Sequence, residues 1–263
     1  MDLLTAALLG IVQGISEFLP ISSDGHLVMS ETLLGVGDAA GGLSFVIALH
    51  LGSLLALLVF YRERVLELAL GLFARDGAAL AHIAKLALGT LPAVVVGLTL
   101  KERVEEAFHT PWLAGAGLLL TGAFLITTQR TQPRARAAAP SYAQALAIGC
   151  AQALAILPGV SRSGSTIALS LALGIAPLAA AEFSFLLGII AIVGAAVLDL
   201  PKLLAAGGSG AAAPMLVGAA LAAASGLAAL AVLRRVIASQ RFHAFAYYCW
   251  AVGGAFLVYC ALR

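Results

Sequence analysis

Apolar residues run along this chain in long blocks separated by short polar stretches. Six blocks, at about 42–60, 81–100, 111–128, 179–200, 212–233 and 243–262, approach the roughly 20 residues that an α-helix needs to cross a hydrocarbon core. Two further blocks, at about 3–34 and 141–175, are apolar at both ends but broken in the middle. The first break reads Glu17-Phe18-Leu19-Pro20-Ile21-Ser22-Ser23-Asp24-Gly25-His26, and the second reads Leu157-Pro158-Gly159-Val160-Ser161-Arg162-Ser163-Gly164-Ser165. Proline interrupts a helix, and Ser or Asp before a new apolar run is an N-cap signal, so each break ends one helix and starts another. The second arms, about 24–34 and 163–174, would reach only ~16–18 Å at ~1.5 Å per residue, about half of a ~30 Å core. Irregular backbone at that depth is tolerated only against protein or a watery cavity. Two re-entrant hairpins are therefore expected to meet around a polar site.

Composition agrees with this pattern. The chain has 263 residues, 62% of them hydrophobic and 11% charged, with a mean hydropathy of +1.04, against the roughly 45–50% apolar content of soluble domains. The fold class expected is an all-α polytopic integral membrane protein, a single membrane domain over 1–263 with about six full transmembrane helices plus two re-entrant helical hairpins. A net charge of +2, with arginines spread among short loops, gives no case for nucleic-acid binding. Cys150, Cys249 and Cys260 stand singly in apolar stretches and read as small buried hydrophobes, not as a disulfide or zinc framework. The opening Met1-Asp2-Leu3 lacks a basic region and a cleavage site, so it is not read as a removable signal peptide.

The two broken blocks resemble each other. Gly10-Ile11-Val12-Gln13 recurs as Gly149-Cys150-Ala151-Gln152, and a proline and a serine-rich turn follow in both. This suggests repeats at about 1–130 and 140–263, each one hairpin plus three spans, the second inverted relative to the first. On this count Arg62, Arg64, Arg75, Arg130, Arg134, Arg136, Arg234, Arg235 and Arg241 fall on one side, and Lys101, Arg103, Lys202 and Arg263 on the other. The positive-inside rule makes the arginine-rich side cytoplasmic and puts both termini outside.

Charges inside a bilayer are costly unless paired or hydrated, which marks Glu17 and Arg162 as functional candidates; a structural ion pair locking the repeats is the plainer alternative. Ser22, Ser23 and Asp24 open one short helix, and Ser161, Ser163 and Gly164 open the other. Free amides at two helix N-termini, with a guanidinium between them, suit a phosphate. For the serines, simple capping is the competing reading. His26 lies within about one helical turn of Ser23, so a Ser–His pair near Glu17 is plausible. Gln13, one turn before Glu17, can donate to a phosphate or orient the carboxylate. His50, in mid-span, reads as a hydrogen-bonded core residue, with a cavity-lining position the alternative. His82, His109 and His243 read as interfacial, and Glu182 as either interfacial or facing the second hairpin.

Taken together, the run from Gln13 to His26 and the run Pro158-Gly-Val-Ser-Arg-Ser-Gly164 resemble the two motifs of the bacterial undecaprenyl pyrophosphate phosphatases associated with bacitracin resistance, and the likeness in length and span count covers essentially the whole chain. The resemblance implies hydrolysis of a C55 polyprenyl pyrophosphate to the monophosphate, recycling a lipid carrier for peptidoglycan synthesis. It also implies a bacterial inner-membrane location, a periplasm-facing site and a divalent cation, Mg²⁺ or Ca²⁺. Gln13 stands where many members have Glu, and Asp24 where Ser or Thr is common. The first removes one carboxylate and the second adds one at the helix N-terminus, where Asp24 either caps α-helical amides or joins Glu17 as a candidate cation ligand. The nucleophile stays open among Ser23 activated by His26, His26 itself, and a water activated by Glu17. A lipid transporter or flippase using the same inverted-repeat cavity is the competing function. A homodimer is compatible with the sequence, which fixes no oligomeric state.

Overall fold

A computed structural model describes residues 2–35, 42–205 and 212–263. Among them the only regular structure is helical. The first hairpin is α1 (Leu3–Phe18) and α2 (Ser23–Leu34), and the second is α8 (Tyr142–Leu154) and α9 (Arg162–Ala172). Between and after them run α3 (Gly42–Phe60), α4 (Arg62–Phe73), α5 (Gly77–Thr99), α6 (Lys101–Phe108), α7 (Pro111–Thr131), α10 (Pro177–Ala205), α11 (Ala212–Ala238) and α12 (Phe245–Leu262).

Local chemistry explains where the hairpin arms begin. Asp2 caps α1 by accepting from the Thr5 amide at 2.8 Å, and Ser141 and Gln144 form a reciprocal capping box at α8. Leu19, ahead of Pro20, is extended at φ −65°, ψ 146°, as the proline ring demands of its predecessor. Ser22 then turns the chain at φ +66° and caps α2.

Five helices are long and apolar enough to span a membrane, and α3 with α4 makes a sixth crossing bent by 78° at its break. The six expected spans are α3, α5, α7, α10, α11 and α12. Two elements were not anticipated. The polar stretches after α3 and α5 are the helices α4 and α6, supported by ion pairs one turn apart, Arg64–Glu67 at 2.7 Å and Arg103–Glu106 at 3.3 Å. Their short length and charge had suggested connecting loops.

Packing brings the hairpins inward. α1 lies against α11, which also covers α3; α8 lies against α5; α9 is held between α7 and α10; α2 touches α1 and α7. Phe18, Phe185, Leu118, Leu125 and Ile167 are buried in the main core, while large apolar residues such as Leu98, Val197, Leu216 and Val258 face outward, as a lipid-facing surface requires. Of the three cysteines expected inside, Cys249 is buried, Cys260 is half-buried and Cys150 faces outward on α8. Met1 and the side chain of Lys202 lie outside the described residues.

Candidate active site

The two hairpin turns meet in the interior, and the meeting is tight. A side chain on Gly25 would strike the backbone of Gly159, and Gly159, at φ +87°, itself presses on the backbone of Ala114 in α7. Glycine satisfies both the left-handed conformation and the approach. Thr121 of α7 fastens the second turn: its hydroxyl donates to the Gly159 carbonyl and accepts from the Ser161 amide, each at 2.9 Å. Ser163 donates to the Leu19 carbonyl at 3.4 Å, tying one turn to the other.

Glu17 sits at the centre. It ends α1 and is buried. One carboxylate oxygen accepts from Arg162 Nη2 at 2.8 Å. The other accepts from Ser23 Oγ at 2.6 Å and from Gln13 Nε2 at 3.3 Å. The second guanidinium nitrogen of Arg162 donates to the Ser184 carbonyl of α10 at 3.3 Å, in space left by Gly188, where any Cβ would meet the guanidinium. Thus Glu17, Ser23, Arg162 and Gln13 come together as the sequence suggests, with Gln13 orienting the carboxylate.

The capping reading applies to Ser22 and Ser161. Each side chain accepts from the amide three residues on, Ser22 from Gly25 at 3.3 Å and Ser161 from Gly164 at 3.0 Å. The amides of Ser23 and Asp24 in α2, and of Arg162 and Ser163 in α9, are the first-turn donors that these caps do not take.

The expected Ser23–His26 pair is not formed. His26 Nδ1 donates to the Ser22 carbonyl at 2.8 Å, and Nε2 accepts from the Tyr248 hydroxyl at 2.8 Å, the two rings stacked at 5.8 Å. Both ring nitrogens are committed, so Ser23 turns to Glu17 instead. His50 takes the less expected of its two positions: its Nε2 lies 3.6 Å from Asp24 and 4.0 Å from Glu17. A titratable ring in the middle of an apolar span was the available signal. Tyr248, Thr121 and Ser184 had no comparable signal, since each is brought in by packing alone. Glu182 binds Arg64 at 2.9 Å, away from the second hairpin. A cavity of about 290 Å³ lies beside that pair, lined by Tyr61, Arg64, Glu182 and Arg234 and by none of the residues around Glu17.

Among the described residues no three His, Cys, Asp or Glu side chains converge as cation ligands. Glu17 is taken up by Arg162, Ser23 and Gln13, and Asp24 faces His50. These side chains therefore do not fit a preformed Mg²⁺ or Ca²⁺ site.

The sequence profile described as bacitracin resistance protein BacA matches residues 6–255, which includes both hairpin turns and every residue named in this site. The chain belongs to the BacA family. A protein of this family from Rhodopirellula baltica, named undecaprenyl-diphosphatase, is 43% identical over 255 residues, covering 96% of each chain. Relatives of the same name from Rubrobacter xylanophilus and Trichlorobacter lovleyi are 40% and 41% identical, the first over 96% of both chains and the second over 96% of this one and 95% of its own. The BacA likeness thus extends across the whole bundle.

Proposed function

We propose that the protein is an undecaprenyl pyrophosphate phosphatase, releasing inorganic phosphate from a C55 isoprenyl pyrophosphate and leaving undecaprenyl phosphate for another round of peptidoglycan synthesis. The observation that carries this reading is Glu17 joining a hydroxyl and a guanidinium, at 2.6 Å from Ser23 and 2.8 Å from Arg162. The curated name of the relatives, at about 40% identity over nearly full length, agrees with it.

In this reading the terminal phosphate enters between the two helix N-termini and draws Arg162 onto its oxygens, which frees Glu17 to act on Ser23. Ser23 Oγ attacks the terminal phosphorus in line as its proton passes to Glu17. The Oγ–P bond forms, the bridging P–O bond breaks, and isoprenyl monophosphate leaves with the electron pair. Water then attacks the phosphoserine: its O–P bond forms as the Oγ–P bond breaks, Glu17 returns its proton to Ser23 Oγ, and the water's proton leaves on inorganic phosphate. Arg162 and the free amides hold the charge that gathers on the equatorial oxygens. His26, held by Ser22 and Tyr248, lines the site without receiving the Ser23 proton. A transporter would give the Ser23–Glu17 contact no task.

The setting proposed is the bacterial plasma membrane, in two inverted halves, with the arginine-rich face cytoplasmic and the site opening to the periplasm. Gly10, Gln13, Ser22 and Gly25 recur at one fixed interval as Gly149, Gln152, Ser161 and Gly164. The paired packing supports the repeat: Gly10 abuts the backbone of Gly218 on α11, and Gly149 abuts that of Gly89 on α5. Arg64 and Arg234, one from each half, line one cavity, as expected of a shared face.

Rapid quench with a C15 pyrophosphate, followed by mass spectrometry of the peptide bearing Ser23, tests the covalent route. A phosphoserine at Ser23 is expected. Its absence, with turnover intact, would transfer the attack to water.

A further inference from the structure

We propose that His50 is a substrate-positioning residue, the counter-charge that lets this pyrophosphate site carry the extra carboxylate of Asp24; the inference rests on the phosphatase reading. Its Nδ1 donates to the Val46 carbonyl at 2.9 Å, one turn back along α3. That bond fixes the ring and aims Nε2 at two carboxylates, 3.6 Å from Asp24 Oδ1 and 4.0 Å from Glu17 Oε2. Carrying a proton, Nε2 faces Asp24 as an ion pair.

The charges around the site explain the need. Glu17 has Arg162 as its partner at 2.8 Å. Asp24 opens α2 with its side chain one-third exposed, at the helix N-terminus where the phosphatase reading seats the negatively charged pyrophosphate. Unpaired, it would oppose substrate, because like charges a few ångströms apart in a partly buried site repel. Among the described residues no three metal-ligating side chains converge beside it. The charged or titratable groups near His50 are Glu17 from α1, Asp24 from α2 and Arg162 from α9. Glu63 and Arg64 of α4, Glu182 of α10 and Arg234 of α11 line the separate cavity beside Tyr61. His50 is thus the residue positioned to offset Asp24.

The inference predicts coupling between the two positions, read as a split between KM and kcat. In steady-state hydrolysis of a C15 pyrophosphate, His50→Ala is expected to raise KM by about 10-fold, with kcat changed by less than about 3-fold, because groups within one charge network couple by one or two powers of ten. In the Asp24→Thr background the same change is expected to raise KM by less than about 3-fold. His50→Gln, closer in size, guards against a packing defect and is expected to follow the same pattern. An equal KM effect in both backgrounds, or a loss confined to kcat, would overturn the pairing. Absence of hydrolysis in the unaltered protein would instead strike the phosphatase reading. A parallel readout without turnover is binding of inorganic pyrophosphate to Ser23→Ala protein by calorimetry. It is expected to weaken with His50→Ala while Asp24 is present, and unchanged affinity would count against the proposal.

Discussion

Glu17 and Arg162 lie 145 positions apart in the chain and meet at 2.8 Å, each carried into the interior of the bundle by the broken end of a different hairpin. Both side chains are largely withdrawn from solvent, Glu17 at 6% and Arg162 at 16% exposure, so each makes the other tolerable. In the proposed reaction the same pairing holds the base and the phosphate-binding guanidinium together until substrate separates them.

Arginine is needed here for its fork. One nitrogen reaches Glu17 and another the Ser184 carbonyl, and a lysine ammonium cannot make both directed contacts. Arg162→Lys is expected to lower kcat/KM about 10²–10³-fold, the usual effect of removing a preorganised charge-stabilising donor. Phosphate release from a C15 pyrophosphate measures it, and activity within a few-fold of the parent would refute this role.

Gly188 touches no substrate in this account, yet its missing side chain makes room for the guanidinium. Gly188→Ala is expected to push Arg162 off Ser184 and to reduce kcat/KM by at least about tenfold, with the melting temperature in detergent little changed because the displaced atoms end a flexible side chain. Full activity would mean that the arginine position is not set from α10.

Tyr248 holds His26 by a single hydrogen bond at 2.8 Å. Loss of one such bond is worth about 0.5–1.5 kcal/mol, so Tyr248→Phe is expected to reduce turnover by no more than about tenfold. A loss as large as that of Ser23→Ala would restore His26 as the acceptor of the serine proton.

Topology can be read with single reporter cysteines after Cys150, Cys249 and Cys260 are replaced. Asp76→Cys, beside Arg75, is expected to be shielded from an impermeant thiol reagent in intact spheroplasts, and Glu102→Cys, between Lys101 and Arg103, to be labelled. The reverse pattern would turn the site toward the cytoplasm.

The hairpins and spans were legible because bilayer thickness fixes helix length and because Pro20 and Pro158 are each followed by a serine-rich turn, whereas Pro92, with none, stays inside α5. Glu17, Ser23 and Arg162 were legible because a polar group at that depth needs a reason. The partner of each group was less visible. His26 lies close to Ser23 in sequence, but helix geometry turns its ring back onto the Ser22 carbonyl and outward to Tyr248 on α12. His50 looked like core because its neighbours are all apolar, and only the packing of α3 beside the first hairpin shows Asp24 opposite it. The helices α4 and α6 were missed because ion pairs along their polar surfaces stabilise them, and apolar periodicity does not register such pairs.

The most direct test is phosphate release from C55 and C15 isoprenyl pyrophosphates by purified parent protein, Glu17→Gln and Arg162→Ala, with folding checked by thermal melting. The parent is expected to hydrolyse both substrates, and each variant is expected to lose at least about 10²-fold in kcat/KM while remaining folded. Full hydrolysis by both variants would contradict the placement of the reaction at the Glu17–Arg162 pair.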